Sequence, residues 1–246
     1  SLVAFSLGIE RNRVGLVKDI DDDQYREIEK LVEKRVRRIP LQHILGEQGF
    51  RRLVLEVGPG VFIPRPETEL LVESTVRYLK EKNQDRNIVV DLCSGSGAIA
   101  LAIASEVGNS DVYAVEKSPE AFQYLTKNLA NNEELLTKVS SKFIAINADI
   151  KEPIIDLENL KFKVDALVSN PPYIPNSQEL PRDVREHEPA EALYGGEDGM
   201  KLPRLFISTA SRLLKSGGFL AIEHHEEQGL EIAAVLHEDF TDILLH

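Results

Sequence analysis

A single cysteine, Cys93, stands among 246 residues. One thiol cannot build an internal disulfide framework, and such sparing use suits a reducing compartment. Apolar runs are equally scarce, and none reaches the roughly 20 residues needed to span a bilayer. The opening residues, Ser1 to Glu10, lack the basic start and apolar stretch of a secretory signal. Bases are also in short supply, with 29 Lys and Arg against 41 Asp and Glu, a formal net charge of −12. Proteins that hold nucleic acid gather cations to displace phosphate counterions. The balance here argues against a stable nucleic-acid partner and is compatible with a basic protein partner. Arg35, Arg37, Arg38, Arg51 and Arg52 could still form a local basic patch, against the plainer reading of a solvated charged face. The expectation is a cytoplasmic monomer with no membrane association.

What the chain does have is length for one α/β core plus a small accessory domain. Residues 1–46 read as helical. In DDDQYREIEKLVEKRVRR, Tyr25, Ile28, Leu31, Val32 and Val36 recur at helical spacing, with acids leading and bases trailing as the helix dipole favours. Residues 47–66 read as short strands, FRRLVLEV and VFIPRP, about a Gly58-Pro59-Gly60 turn. From 67 to 246 strand and helix alternate, which predicts a parallel sheet with crossover helices on both faces. Strands are predicted at 88–92, 111–115, 142–147, 164–169 and 218–223, with a last stretch at 240–245. Helices are predicted near 67–80, 97–107, 119–130, 203–214 and 226–237. Ser118-Pro119-Glu120 makes a good helix start, a hydroxyl cap followed by proline in the first turn.

Chemistry concentrates at the ends of the predicted strands. VVDLCSGSGAIALAIA reads strand, glycine turn, helix. Gly95 and Gly97 allow a sharp turn and leave room for a ligand at the helix start. Alone, this pattern fits a nicotinamide dinucleotide as well as S-adenosylmethionine. Glu116 closes the next strand, where a carboxylate can accept from both ribose hydroxyls of a nucleoside. Asp149 follows the third strand and could accept from an adenine amine while Ile150 packs the ring, though a surface loop aspartate is as common. Asn170-Pro171-Pro172-Tyr173 follows the strand VDALVS. Two prolines and an aromatic are a poor way merely to leave a strand. For a planar NH2 group the set makes sense. The Asn170 side-chain oxygen and the Pro171 carbonyl would take its two protons, and the Tyr173 ring would stack on its flat face.

Taken together, Asp91 to Gly97, Glu116, Asp149 and Asn170 to Tyr173 resemble class I methyltransferases that modify planar nitrogens. With Phe62-Ile63-Pro64-Arg65-Pro66-Glu67-Thr68-Glu69 upstream, and Glu188-Pro189 and Gly195-Gly196-Glu197-Asp198-Gly199 downstream, the chain resembles the HemK/PrmC family, the release-factor glutamine methyltransferases. The likeness runs nearly end to end. It implies a Rossmann-like sheet, with a helical substrate-binding domain at 1–46, a β-hairpin linker at 47–66 and a catalytic domain at 67–246. It implies that Cys93, Ser94, Gly95, Ser96, Gly97, Glu116, Asp149, Ile150 and Asn170 hold S-adenosylmethionine, with S-adenosylhomocysteine as the product. It implies that Asn170, Pro171, Pro172 and Tyr173 hold the glutamine of a release factor's Gly-Gly-Gln motif, with Arg65 and Glu188 at the same mouth. Cys93 departs from the family's usual glycine, and Ile150 stands where an aromatic can occur. The likeness also implies a further antiparallel strand after the sequence seen here.

Glu223-His224-His225-Glu226-Glu227 resembles a metal cluster, but neighbours on a strand point to opposite faces, so no metal is expected. Cys93 lacks a histidine partner in sequence, and direct methyl transfer needs no covalent intermediate. Three rival classes remain: a methyltransferase acting on the adenine amine of DNA or RNA, a non-catalytic nucleoside-binding module and, more distantly, a nicotinamide-dependent oxidoreductase.

Overall fold

Five all-parallel strands form the centre of the molecule, and the strands that read as most apolar lie deepest. The computed structural model describes residues 1–245, so the last position of the 67–246 span lies outside it. In chain order the amino-terminal part holds α1 (Leu2–Ser6), α2 (Asp22–Val36) and α3 (Leu41–Leu45), and the hairpin β1 (Glu47–Phe50) and β2 (Leu53–Glu56) follows. Next come α4 (Glu69–Lys82), β3 (Asn87–Leu92), α5 (Ala98–Val107), β4 (Ser110–Glu116), α6 (Pro119–Lys138), β5 (Lys142–Asn147), α7 (Ile155–Glu158) and β6 (Val164–Ser169). The chain continues through β7 (Ile174–Pro175), α8 (Arg182–His187), β8 (Tyr194–Gly196), α9 (Lys201–Leu213), β9 (Leu214–Ile222) and α10 (Gly229–Leu236).

The main sheet runs β5-β4-β3-β6-β9. Every residue of β6 is buried, as suits a strand with helices on both faces. On one face Val89, Val112, Ala114, Ala166 and Val168 pack with α4, α5 and α6. On the other, Val90, Leu92, Val115, Ile146 and Leu167 pack with α7 and α9. The chain enters at β3, steps outward to β4 and β5, then crosses back to β6. That reversal opens a crevice beyond the carboxyl ends of the strands, where ligands bind in sheets of this kind.

Asp21 caps α2 through a reciprocal capping box with Gln24. Of the apolar positions read on α2, only Leu31 is buried, while Tyr25, Val32 and Val36 are exposed. The stretch FRRLVLEV is a hairpin turning at Arg51-Arg52, not one strand, and residues 61–66 form no strand at all. Pro64 and Pro66 cannot donate to a ladder, and the Ile63 N–H goes instead to the Glu188 carboxylate at 3.3 Å. Helix α6 outruns its expected end because Leu136 is buried against the core, which outweighs the weak propensity of Asn131-Asn132. The stretch 240–245 is not a strand. Phe240 packs against the α9 side of the core, and the residues after it join no ladder among the described residues. Two of the basic residues are paired with acids. Arg51 is bidentate with Glu106 at 2.8 and 2.6 Å, and Arg35 lies 3.8 Å from Asp183. Among the described residues no helix is long and apolar enough to cross a membrane.

Candidate functional site

Each chemically distinctive residue follows the end of a parallel strand: Cys93 after β3, Glu116 at the end of β4, Asp149 after β5, Asn170 after β6 and Glu223 after β9. The turn after β3 is built on unusual backbone. Cys93, Gly95 and Gly97 all have positive φ, at 62°, 56° and 84°. A side chain at Gly97 would press on Leu101 at 3.3 Å and Leu125 at 3.4 Å, so this glycine lets α5 begin against its neighbours. Beyond Gly95, by contrast, the space is open. Cys93 adopts a left-handed conformation with a real side chain, which a β-branched residue would tolerate far less. Burial pushes its thiol well above the usual range, so it is a poor nucleophile at neutral pH.

Glu116 ties this turn to β4. Its Oε2 accepts from the Gly95 N–H at 2.8 Å and its Oε1 from the Ser118 N–H at 2.7 Å. Each carboxylate oxygen has two lone pairs, so both keep capacity for a further donor. Burial raises the Glu116 carboxyl, while the N–H groups of Ser118, Gly95 and Lys117 pull it back. Asp91, on β3 two residues before Cys93, is fully buried, and neither of its carboxylate oxygens has a hydrogen-bond partner among the described residues. Burial pushes it up to about 8, against the pull of the nearby Ser94 hydroxyl and Ala100 N–H.

Two adjoining cavities share Phe62, Asn170 and Ala192 in their walls. The first takes in Cys93, Ser94, Gly95, Ser96, Glu116, Asp149, Ile150 and Pro172. The second is lined by Phe62, Arg65, Pro171, Tyr173, Leu180 and Val184. Asn170 lines both. Of the residues predicted for the cofactor, only Gly97 is absent from the first cavity's wall, for the packing reason given above. Arg65 faces the second cavity, with its guanidinium 4.6 Å from the centre of the Phe62 ring. Glu188 is turned inward. Its side chain is 2% exposed, pairs with Arg65 at 2.5 Å and braces the linker through Ile63.

Sequence reasoning passed over the residues that hold the tetrad in place. Asn170 Nδ2 donates to the Thr68 hydroxyl at 3.1 Å, and Thr68 donates to Glu223 Oε2 at 2.7 Å. The Tyr173 hydroxyl donates to Glu223 Oε1 at 3.1 Å. Gln228 Nε2 donates to the carbonyls of Tyr173 and Asp198 at 2.9 and 3.1 Å, while its Oε1 accepts from the His225 N–H at 3.0 Å. Gly199, at φ 74°, passes so close that a side chain there would collide with the Tyr173 carbonyl and the Gln228 amide. That explains part of the glycine-rich run after Tyr194. At the far side of the turn, buried Asn128 donates to the carbonyls of Ser96 and Glu56, both at 3.0 Å, joining the turn to the hairpin. Glu223 carried one legible signal, its place at the carboxyl end of a strand.

Comparison with known proteins bears on the whole chain. A model of the PrmC N-terminal domain matches residues 1–46, and a model of the TRM5/TYW2 methyltransferase domain matches residues 70–180. The release factor glutamine methyltransferase of Mycolicibacterium smegmatis is 43% identical over 244 residues, spanning 98% of this chain and 82% of that protein. The protein of the same name from Streptomyces coelicolor is 40% identical over 241 residues, spanning 97% and 80%. Among solved structures, the catalytic domain of hMettl16, in complex with a MAT2A 3′UTR hairpin, superposes with a TM-score of 0.54. It is 14% identical and covers 76% of this chain and 67% of its own, a likeness of fold.

Proposed function

The chain belongs to the release factor glutamine methyltransferases, and from that premise we propose that it methylates the side-chain amide nitrogen of the glutamine in the Gly-Gly-Gln motif of peptide chain release factors, with S-adenosylmethionine as donor. The observation that carries the reading to particular residues is the position of Asn170 on the wall shared by the two cavities. One cavity suits a nucleoside. Glu116 offers its spare lone pairs to the ribose, open space beyond Gly95 admits the methionine chain carried by the sulfonium, and Asp149 and Ile150 flank the adenine. The other suits a side chain arriving from a partner, with Tyr173 and Phe62 as aromatic walls.

When bound, S-adenosylmethionine supplies an already activated methyl group, so the protein's task is positioning and exclusion of water. An amide nitrogen is a weak nucleophile because its lone pair is delocalised. The Asn170 Oδ1 and the Pro171 carbonyl would accept its two protons and aim the lone pair along one direction. The Tyr173 π face favours the positive charge that develops on nitrogen. No general base beside Asn170 is needed, since the proton leaves after the nitrogen has been methylated.

The test is transfer of labelled methyl groups from S-adenosylmethionine to a release factor, with the label mapped to its residue by mass spectrometry. Label on the Gly-Gly-Gln glutamine is the expected result. Label on duplex DNA or RNA, with none on the release factor, would assign the tetrad to adenine instead. Nicotinamide-dependent chemistry has no support beyond the glycine turn, and a chain that binds S-adenosylmethionine yet labels nothing would be a binding module.

A further inference from the structure

We propose that Glu223, acting through Thr68, is a positioning residue that fixes which way round the Asn170 amide sits. The inference deepens the reading of Asn170 as the group that accepts from the glutamine NH2, and it rests on that reading.

An asparagine amide has two faces of nearly equal shape, a carbonyl oxygen that accepts and an NH2 that donates. Only the oxygen is useful to an incoming NH2 group. The NH2 would confront it donor to donor. Something must therefore hold the side chain the right way round before the substrate arrives. Thr68 is 3% exposed, and its hydroxyl has one proton to give. Glu223 Oε2 lies 2.7 Å away, and an ionised carboxylate can only accept. The Thr68 proton is thus committed to Glu223, and the side of Thr68 that faces Asn170 presents a lone pair. That lone pair can be met by Nδ2, as it is at 3.1 Å, and not by Oδ1. The carboxylate charge is passed along two bonds as a polarity, which leaves Oδ1 for the acceptor.

The other oxygen of the same carboxylate accepts from the Tyr173 hydroxyl at 3.1 Å. One side chain from the end of β9 therefore orients both ends of the Asn-Pro-Pro-Tyr tetrad. Burial pushes the Glu223 carboxyl upward, and the Thr68 and Tyr173 hydroxyls that donate to it pull it back.

Thr68→Val tests the relay with little change of shape, because it exchanges a hydroxyl for a methyl group. Thr68→Ser keeps the hydroxyl, and Glu223→Ala removes the acceptor that orients it. Single-turnover transfer to a release factor is measured at saturating S-adenosylmethionine, with cofactor affinity by calorimetry and folding by circular dichroism. Outer-layer partners of this kind are worth about 10–100-fold in activity. Thr68→Val and Glu223→Ala should each lose that much in rate, with the KM for release factor and the cofactor affinity within about threefold of the parent. Thr68→Ser should recover most of the rate. A folded Thr68→Val or Glu223→Ala with near-parent rate overturns the proposal, and so does a Thr68→Ser as slow as Thr68→Val. If one of the two impaired variants fails to fold, the other decides. If the parent itself does not label release factor, the functional reading has failed and not this inference.

Discussion

The Gly95 N–H donates to Glu116 Oε2 at 2.8 Å, which joins the turn after β3 to the end of β4. The acid that would receive the ribose hydroxyls also shapes the loop on which the nucleoside would rest. Glu116→Ala should therefore lose more than two hydrogen bonds to ribose. A charge-assisted hydrogen bond is worth about 1.5–3 kcal/mol, so S-adenosylmethionine affinity should fall by about tenfold or more. Calorimetry that finds unchanged affinity would remove Glu116 from the nucleoside pocket.

Cys93 has φ 62°, in the left-handed region that favours glycine. Cys93→Gly relieves that conformation but gives up a half-buried side chain and a stiffer unfolded chain, so its stability should stay within about 1 kcal/mol of the parent. Cys93→Val places a β-branched residue in left-handed backbone and should cost about 2 kcal/mol or more. Urea unfolding of the two variants checks the contrast, and equal stabilities would contradict it.

Asp91 is an acid whose folded-state pKa, about 8, lies above its unfolded value. Such a group favours the folded state most at low pH, and its contribution is lost as pH rises between the two values. Asp91→Asn removes that titration. Measured by urea unfolding without cofactor, the variant should gain on the parent steadily from pH 4 to pH 8. A difference that does not change over this range would show that Asp91 does not titrate as its burial requires.

On α2, Tyr25 is 57% and Val36 74% exposed, although both fall on its apolar face. If the amino-terminal helices clasp the protein substrate, these side chains are covered in the complex. Tyr25→Ser and Val36→Ser should each raise the KM for release factor by about fivefold, the worth of roughly 1 kcal/mol of buried apolar contact. Rate at saturation and cofactor affinity should be unchanged. An unaltered KM would place the docking surface elsewhere.

The central sheet was legible because its strands are short apolar runs that end in glycine, acid or asparagine, and the helices between them carry clear periodicity. The residues at the strand ends could be read for the same reason, since parallel topology alone brings Gly95, Glu116, Asp149 and Asn170 to one edge. What could not be read depends on distant pairing. Thr68 and Glu223 are 155 residues apart and Asn170 and Thr68 are 102 apart, so no local pattern announces their chain of hydrogen bonds. The short pair β7 and β8 is invisible for a similar reason, since it needs Gly195 to pass against the backbone of Pro172 and Tyr173, where a side chain would collide. The Arg51-Arg52 turn was missed because neither residue is a usual turn former, and contacts to Glu69 and Glu106 hold it in place. Glu188 and Arg65 are 123 residues apart, so their ion pair is equally silent in the sequence.

The central claim is that Asn170 holds the acceptor amide by its side-chain oxygen. Asn170→Ala should fold and keep much of its S-adenosylmethionine affinity, because Glu116 and the turn around Gly95 are untouched. Loss of one preorganised contact to a reacting group costs about 10²–10³ in rate, or about 2.7–4 kcal/mol. Tyr173→Ala, which leaves both acceptors in place, should lose less. The direct measurement is single-turnover methylation of release factor by Asn170→Ala at saturating cofactor. A rate 10²–10³ below the parent in a folded protein is the predicted result, and a rate near the parent's would contradict the amide-holding role.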